Sequence, residues 1–149
     1  MDALFTIGHN KTSLRGFVER LQHARVDCVV DIRLNNTSQL AGFAKRDDLE
    51  FLLVEGFGIR YVHMLDCAPT QEMLDAYKKD RDWDQYARAY NSLIYEREMP
   101  RGFLDAARTG GWRRPCLLCA EVTTDTCHRR LLAGAICAAG GVDVDYSDL

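Results

Sequence analysis

Short β-branched and apolar runs alternate along the chain with longer segments in which apolar residues recur three and four positions apart. That alternation predicts a parallel sheet with crossover helices. The first strand is expected over Ala3 to Ile7, followed by a helix from about Ser13 with Leu14, Phe17, Val18 and Leu21 on one face. Val26 to Ile32 is a continuous apolar run broken only by Asp27, Cys28 and Asp31, the pattern of a central strand covered on both faces. Leu49, Leu52 and Leu53 mark a second helix closed by Gly56, and Ile59 to His63 reads as a third strand. From Thr70 to about Thr109 the pattern is helical throughout. Its aromatic stripe, which includes Tyr77, Trp83, Tyr86 and Tyr90, has the spacing of a core face, and core is a commoner use of that spacing than base stacking. Pro115 to Ala120 is the fourth strand, the last helix runs from near Cys127 to Gly140 and Gly141, and Val142 to Tyr146 is a final strand. We therefore expect one α/β domain over residues 1–149, an open and mainly parallel five-stranded sheet with helices on both faces and a helical insertion between strands three and four.

Composition narrows the partners. Of 149 residues, 47% are hydrophobic and 28% charged, the balance of one soluble domain able to bury a core. The apolar stretch near Ala133 to Val142 is far short of the ~20 residues that span a bilayer, and Met1 to Asn10 lacks a basic segment ahead of an apolar one. No membrane partner is expected, and the expected compartment is the cytoplasm. The net charge of −3 builds in no general attraction to polyanions. Residues 76–130 carry 11 Lys and Arg against 8 Asp and Glu, a local +3 that allows a nucleic-acid-binding accessory domain without favouring it. Six cysteines without an export signal read as thiols rather than bridges. Cys28, Cys116 and Cys137 lie in apolar surroundings and are expected to be small core residues.

Ligands of an open parallel sheet gather at the carboxyl ends of its strands. The out-of-character polar residues fall at those ends: His9 after strand one, Asp31, Arg33 and Ser38 at and beyond strand two, His63 closing strand three, and Cys119 and Glu121 at strand four. Taken singly each has a plain structural use, such as an Asp31–Arg33 ion pair. Their shared placement points to a site. The segment Leu117 to Leu132 is the richest, because Asp125 or Thr126 can cap a helix with Cys127 in its first turn, where unsatisfied N–H groups favour an anion. A thiol there, beside Arg129, should be more acidic than a free cysteine, or the same place can hold a ligand phosphate or carboxylate with Arg33 and Arg129 as forked partners. Glu121 is suited to general acid–base work.

Spacing excludes several chemistries. Cys116 and Cys119 form a C-x-x-C, but residues three apart on a strand face opposite sides, and Glu121 overlaps that element, so a zinc-deaminase arrangement is rejected. No Walker loop, G-x-S-x-G or G-x-G-x-x-G occurs. Cys119, Cys127 and His128, with His9 or His63, can ligate Zn or Fe, although their spacing matches no standard structural zinc pattern.

The chain resembles the domain-of-unknown-function family 488, small α/β proteins of undetermined activity. The matching segments are T-I-G-H at Thr6 to His9, V-V-D-I-R at Val29 to Arg33, Ser38, Phe43, G-I-x-Y-x-H at Gly58 to His63, L-C-A-E at Leu118 to Glu121, and C-H-R at Cys127 to Arg129. Asn36 stands where a proline is usual, and the loop around Cys67 lacks the paired glycine of many members, as in the branch with N-N-T-S-Q-L-A-G-F and A-P-T. A different pocket loop implies a different ligand, and Cys67 is a candidate pocket-lining thiol. The resemblance implies His9, Asp31, Arg33, Cys119, Glu121, Cys127, His128 and Arg129 as a common polar constellation and supplies no reaction.

The leading expectation is an enzyme that holds a small anionic substrate, of nucleotide or sugar-phosphate type. Cys127, Cys119, Glu121 and Asp31 are its catalytic candidates, and His9, Arg33, Ser38, His63, His128 and Arg129 its ligand contacts. The alternative is a metal-binding or redox-sensing protein built on Cys119, Cys127 and a histidine.

Overall fold

The computed structural model describes residues 1–121, 125–140 and 145–149. Five strands form one sheet: β1 (Phe5–Gly8), β2 (Cys28–Asp31), β3 (Arg60–His63), β4 (Pro115–Cys119) and β5 (Ser147–Asp148). Their order is β3-β2-β4-β1-β5, and every pairing is parallel.

The continuous apolar runs of the strands follow from cover on both faces. Phe5, Ile7, Val29, Cys116 and Leu118 point into one cluster, where α1 (Leu14–His23) and α2 (Arg46–Phe51) supply Phe17, Val18, Leu21 and Leu49. A π-helical stretch, Leu52–Gly56, continues α2 and buries Leu53. The alternate residues Cys28, Val30 and Leu117 point the other way, into a larger cluster under α4 (Trp83–Glu96), α5 (Met99–Gly110) and α6 (His128–Gly140). This is the open α/β sheet with helices on both faces that the periodicity predicts.

Three boundaries differ from expectation. The helical insertion is three helices, α3 (Gln71–Asp80), α4 and α5, because Arg81 and Glu98 adopt left-handed backbone with φ of 54° and 49°. Asp82 restarts the chain as a helix by accepting from the Gln85 N–H at 3.0 Å. The last helix begins at His128, so Cys127 precedes it, and the Cys127 carbonyl accepts from the Arg130 N–H at 3.2 Å. The final strand is Ser147–Asp148 rather than Val142 to Tyr146, with Ser147 N–H donating to Leu4 O and Leu149 N–H to Thr6 O. Residues 142–144 of the expected strand, like Thr123, Thr124 and Gly141, lie outside the described residues.

Cys28 and Cys116 are fully buried core residues, Cys137 is half-buried against the larger cluster, and the stripe residues Tyr86, Tyr90 and Ile94 are buried as core. Among the described residues no helix is long and apolar enough to cross a membrane.

Candidate functional site

Parallel register brings the strand ends level: Gly8 lies opposite Cys119, and Asp31 opposite both Leu118 and His63. The loops leaving these ends enclose a pocket of about 310 Å³. Its apolar wall is made by Leu34, Leu40, Ala41, Pro69, Leu74, Tyr77 and Tyr86, and its polar lining includes His9, Asn10, Arg33, Ser38, Cys119, Glu121, Cys127 and His128. A glycine is required at position 8, because a Cβ there would coincide with the Glu121 carbonyl. The chain leaving β4 can thus cross the end of β1, where Asn10 N–H donates to Ala120 O at 2.9 Å.

Beneath one side of the pocket, Asp31 and Arg33 form a fully buried ion pair at 2.6 Å. Two residues apart at a strand end, they face the same side. Asp31 Oδ1 accepts from the Arg33 backbone N–H at 3.0 Å and Nε at 2.8 Å. Oδ2 accepts from Arg33 NH2, from Asn36 Nδ2 at 3.1 Å and from the Tyr61 hydroxyl at 2.5 Å. Burial alone would raise the Asp31 pKa, but the bonds and charge of Arg33, with the Tyr61 hydroxyl, more than offset it and hold the carboxyl below its usual range. The remaining guanidinium nitrogen, Arg33 NH1, donates to His9 Nε2 at 3.2 Å. Arg33 has only donors, so His9 accepts through Nε2 and is neutral there. Burial and the Arg33 charge both lower its pKa. His63 Nε2–H donates to the Arg33 carbonyl at 2.8 Å, holding the same loop from below.

On the other side β4 and α6 bring three soft or titratable groups together. Cys127 Sγ lies 3.2 Å from Cys119 Sγ, and Cys119 Sγ lies 3.7 Å from His128 Nδ1. All three residues are buried. The His128 ring is fixed by Nε2–H donating to the Ile32 carbonyl at 3.4 Å and by edge contact with Tyr90, centroids 5.1 Å apart. The hydrogen bond from Cys127 is the largest cause holding the Cys119 thiol well below its ordinary pKa, against burial and with help from His128. The same bond, with burial, pushes Cys127 up, so it remains the thiol donor. Burial opposes charge on His128, but the neighbouring Cys119 thiolate outweighs it and raises the imidazole pKa.

Arg129 supports this group from behind and is not among the residues lining the pocket. Its NH1 donates to the Glu121 carbonyl and lies 3.7 Å from Cys127 Sγ, while NH2 pairs with Asp148 at 3.1 Å. Asp148 Oδ1 also accepts from the Thr6 hydroxyl at 2.5 Å. The Glu121 residue is exposed at the pocket lining.

The structure thus gathers His9, Arg33, Ser38, Cys119, Glu121, Cys127 and His128 around one cavity. It places Asp31, His63 and Arg129 behind the lining, as partners of lining residues. Cys67 does not line this pocket. It is fully buried in the larger cluster, where burial pushes its thiol up to about 12 and its carbonyl accepts from the Tyr90 hydroxyl. Sequence reasoning missed Tyr61 and the Thr6–Asp148 support. Tyr61 had a signal, since it stands two residues before His63 on a strand and so shares its side. Asp148 had none.

Fold and site together define an open parallel α/β domain with a thiol–imidazole pocket at the carboxyl edge of its sheet. The chain belongs to the family described as domain of unknown function DUF488, whose family model matches residues 13–136. No curated protein and no solved structure matches the chain.

Proposed function

We propose that the protein is an enzyme acting on a small molecule held in the sheet-edge pocket, with its chemistry centred on the thiolate of Cys119. The observation that carries this reading is the approach of Cys119 Sγ to Cys127 Sγ (3.2 Å) and His128 Nδ1 (3.7 Å) on the lining of a mainly apolar cavity. A thiolate is the electron-rich form of cysteine, both as nucleophile and as metal ligand. The apolar part of a substrate packs against Leu34, Leu74, Tyr77 and Tyr86, and an anionic end meets Arg33 and His9. Arg33 is already neutralised by Asp31 and Arg129 by Asp148, so the two arginines do not form an open anion clamp. Asp31 acts by orienting Arg33, because its oxygens already accept five hydrogen bonds. Glu121 is the proton carrier with access to solvent.

Alkylation of reduced, metal-free protein by iodoacetamide, read by peptide mass spectrometry, tests this. The thiolate forms the S–C bond and iodide leaves. Cys119 is expected to label ahead of Cys28, Cys67 and Cys116, and Ala41→Trp, which narrows the cavity, is expected to slow it. Labelling of Cys119 no faster than of Cys28 in the folded protein would overturn the reading.

A further inference from the structure

We propose that Cys119, Cys127 and His128 are the three protein ligands of a zinc-class divalent cation whose fourth position opens into the pocket. This rests on the reading of the pocket as the working site and names the cofactor that site would take.

The first argument is geometric. The three ligand atoms lie within 4.8 Å of one another. Zn–S bonds of about 2.3 Å and Zn–N bonds of about 2.0–2.1 Å at tetrahedral angles require about 3.8 Å between sulfurs and about 3.5 Å from sulfur to nitrogen. The observed 3.2 Å and 3.7 Å reach those values by shifts of a few tenths of an ångström.

The second argument is the support around the ligands. A metal-binding histidine almost always engages its other ring nitrogen with a carbonyl or carboxylate. His128 turns Nδ1 to the sulfurs and places Nε2 3.4 Å from the Ile32 carbonyl. Arg129 NH1 approaches Cys127 Sγ, and Asp148 balances the arginine. Two thiolates cancel the charge of a dication, so the buried assembly is neutral once formed.

The third argument is the count. Among the described residues the group has three members, whereas a structural zinc site closes with four protein ligands. All three members also line the pocket, so the remaining position faces the space a substrate would occupy. Two sulfurs and an imidazole suit zinc or a softer cation, and not magnesium or calcium. Uptake displaces the Cys127 thiol proton and any proton on His128. A water in the fourth position would be acidified toward neutrality, which makes hydrolytic attack on a carbonyl or phosphoryl group the reaction class that fits.

The test uses the full chain, reduced with a phosphine, stripped of metal and titrated with cobalt(II). One equivalent is expected to produce visible d–d bands and a near-ultraviolet thiolate-to-cobalt band, both bleached by added zinc. Cys127→Ser and His128→Gln, checked for folding by circular dichroism, should each lose affinity by roughly 100-fold or more, while Cys137→Ser keeps it. Absence of the thiolate-to-cobalt band in wild type overturns the site, as does full affinity in either ligand variant. Rapid alkylation of metal-free Cys119 without cobalt uptake would remove this inference and leave the thiolate reading standing. Tight cobalt uptake with a Cys119 that resists alkylation would do the reverse.

Discussion

Replacing Asp31 with asparagine tests whether the buried charge pair organises the site. Asp31 is fully buried and Arg33 is 5% exposed, so water cannot solvate the guanidinium once its counter-charge is gone. The amide of Asp31→Asn would also turn an NH2 group toward the donors of Arg33, Asn36 and Tyr61 in place of an accepting oxygen. Breaking a buried pair by removing one partner costs about 3–5 kcal/mol, a large share of the ~5–15 kcal/mol that holds a domain together. In a chain of this size that lowers the midpoint of thermal unfolding by about 6–20 °C. Urea unfolding followed by the fluorescence of Trp83 and Trp112 measures it, with Glu98→Gln in the exposed Glu98–Arg101 pair as a reference expected to change stability by about 0.5 kcal/mol or less. The pH dependence has a definite sign. The folded Asp31 pKa is depressed, so its stabilisation is fully present above the unfolded value of ~3.9 and is lost as pH falls through the folded value. The gap between wild type and Asp31→Asn should stay constant from about pH 7 to 5 and narrow below about pH 4. A loss below about 1 kcal/mol, or a gap that widens in acid, would refute the reasoning.

Three further substitutions probe the rest of the frame. Tyr61→Phe removes a hydroxyl donor to a carboxylate from a half-buried ring and should cost about 1–2 kcal/mol in the same urea assay; an unchanged midpoint would show that the bond carries nothing. Gly8→Ala drives a methyl into the Glu121 carbonyl, so stability should fall by about 1–3 kcal/mol or more and Cys119 alkylation should slow as β4 shifts; wild-type behaviour in both would contradict the close crossing. Asp148→Asn leaves Arg129 without its counter-charge, and because Asp148 is 32% exposed the loss should be about 1–2 kcal/mol, partly restored by Asp148→Glu; a loss equal to that of Asp31→Asn would mean the pair is more enclosed than its exposure indicates.

The strands were legible because burial on both faces forces nearly every interior position to be apolar, so Val26 to Ile32 could be little else. The polar residues at their ends were legible for the complementary reason, since charged side chains have no place in such a core except at its edge. The breaks at Arg81 and Glu98 were not, because neither is a glycine or proline and the left-handed turn they make leaves no compositional mark. Nor was the final strand, two exposed residues whose place is set by backbone pairing to Leu4 and Thr6 rather than by an apolar pattern. The approach of Cys119 to Cys127 depends on how the chain returns from β4 to α6, and a separation of eight residues fixes no distance.

The two arginines show most clearly how structure changes a chemical reading. In sequence, Arg33 and Arg129 suggest a forked grip on an anion. In space each carries its own carboxylate, Asp31 from two residues back on the same strand end and Asp148 from the far edge of the sheet. Their donors are directed into the protein: Arg33 sets His9 and, through its carbonyl, His63, while Arg129 holds the Glu121 backbone and approaches Cys127. The positive charge near the pocket is therefore largely neutralised within the protein, and the groups left to meet a ligand are the thiols, His128, His9 and Glu121. A cavity with apolar walls and soft donors on its lining selects by shape and by affinity for an electrophilic centre, so the search for its substrate should vary the reacting group before it varies the charge.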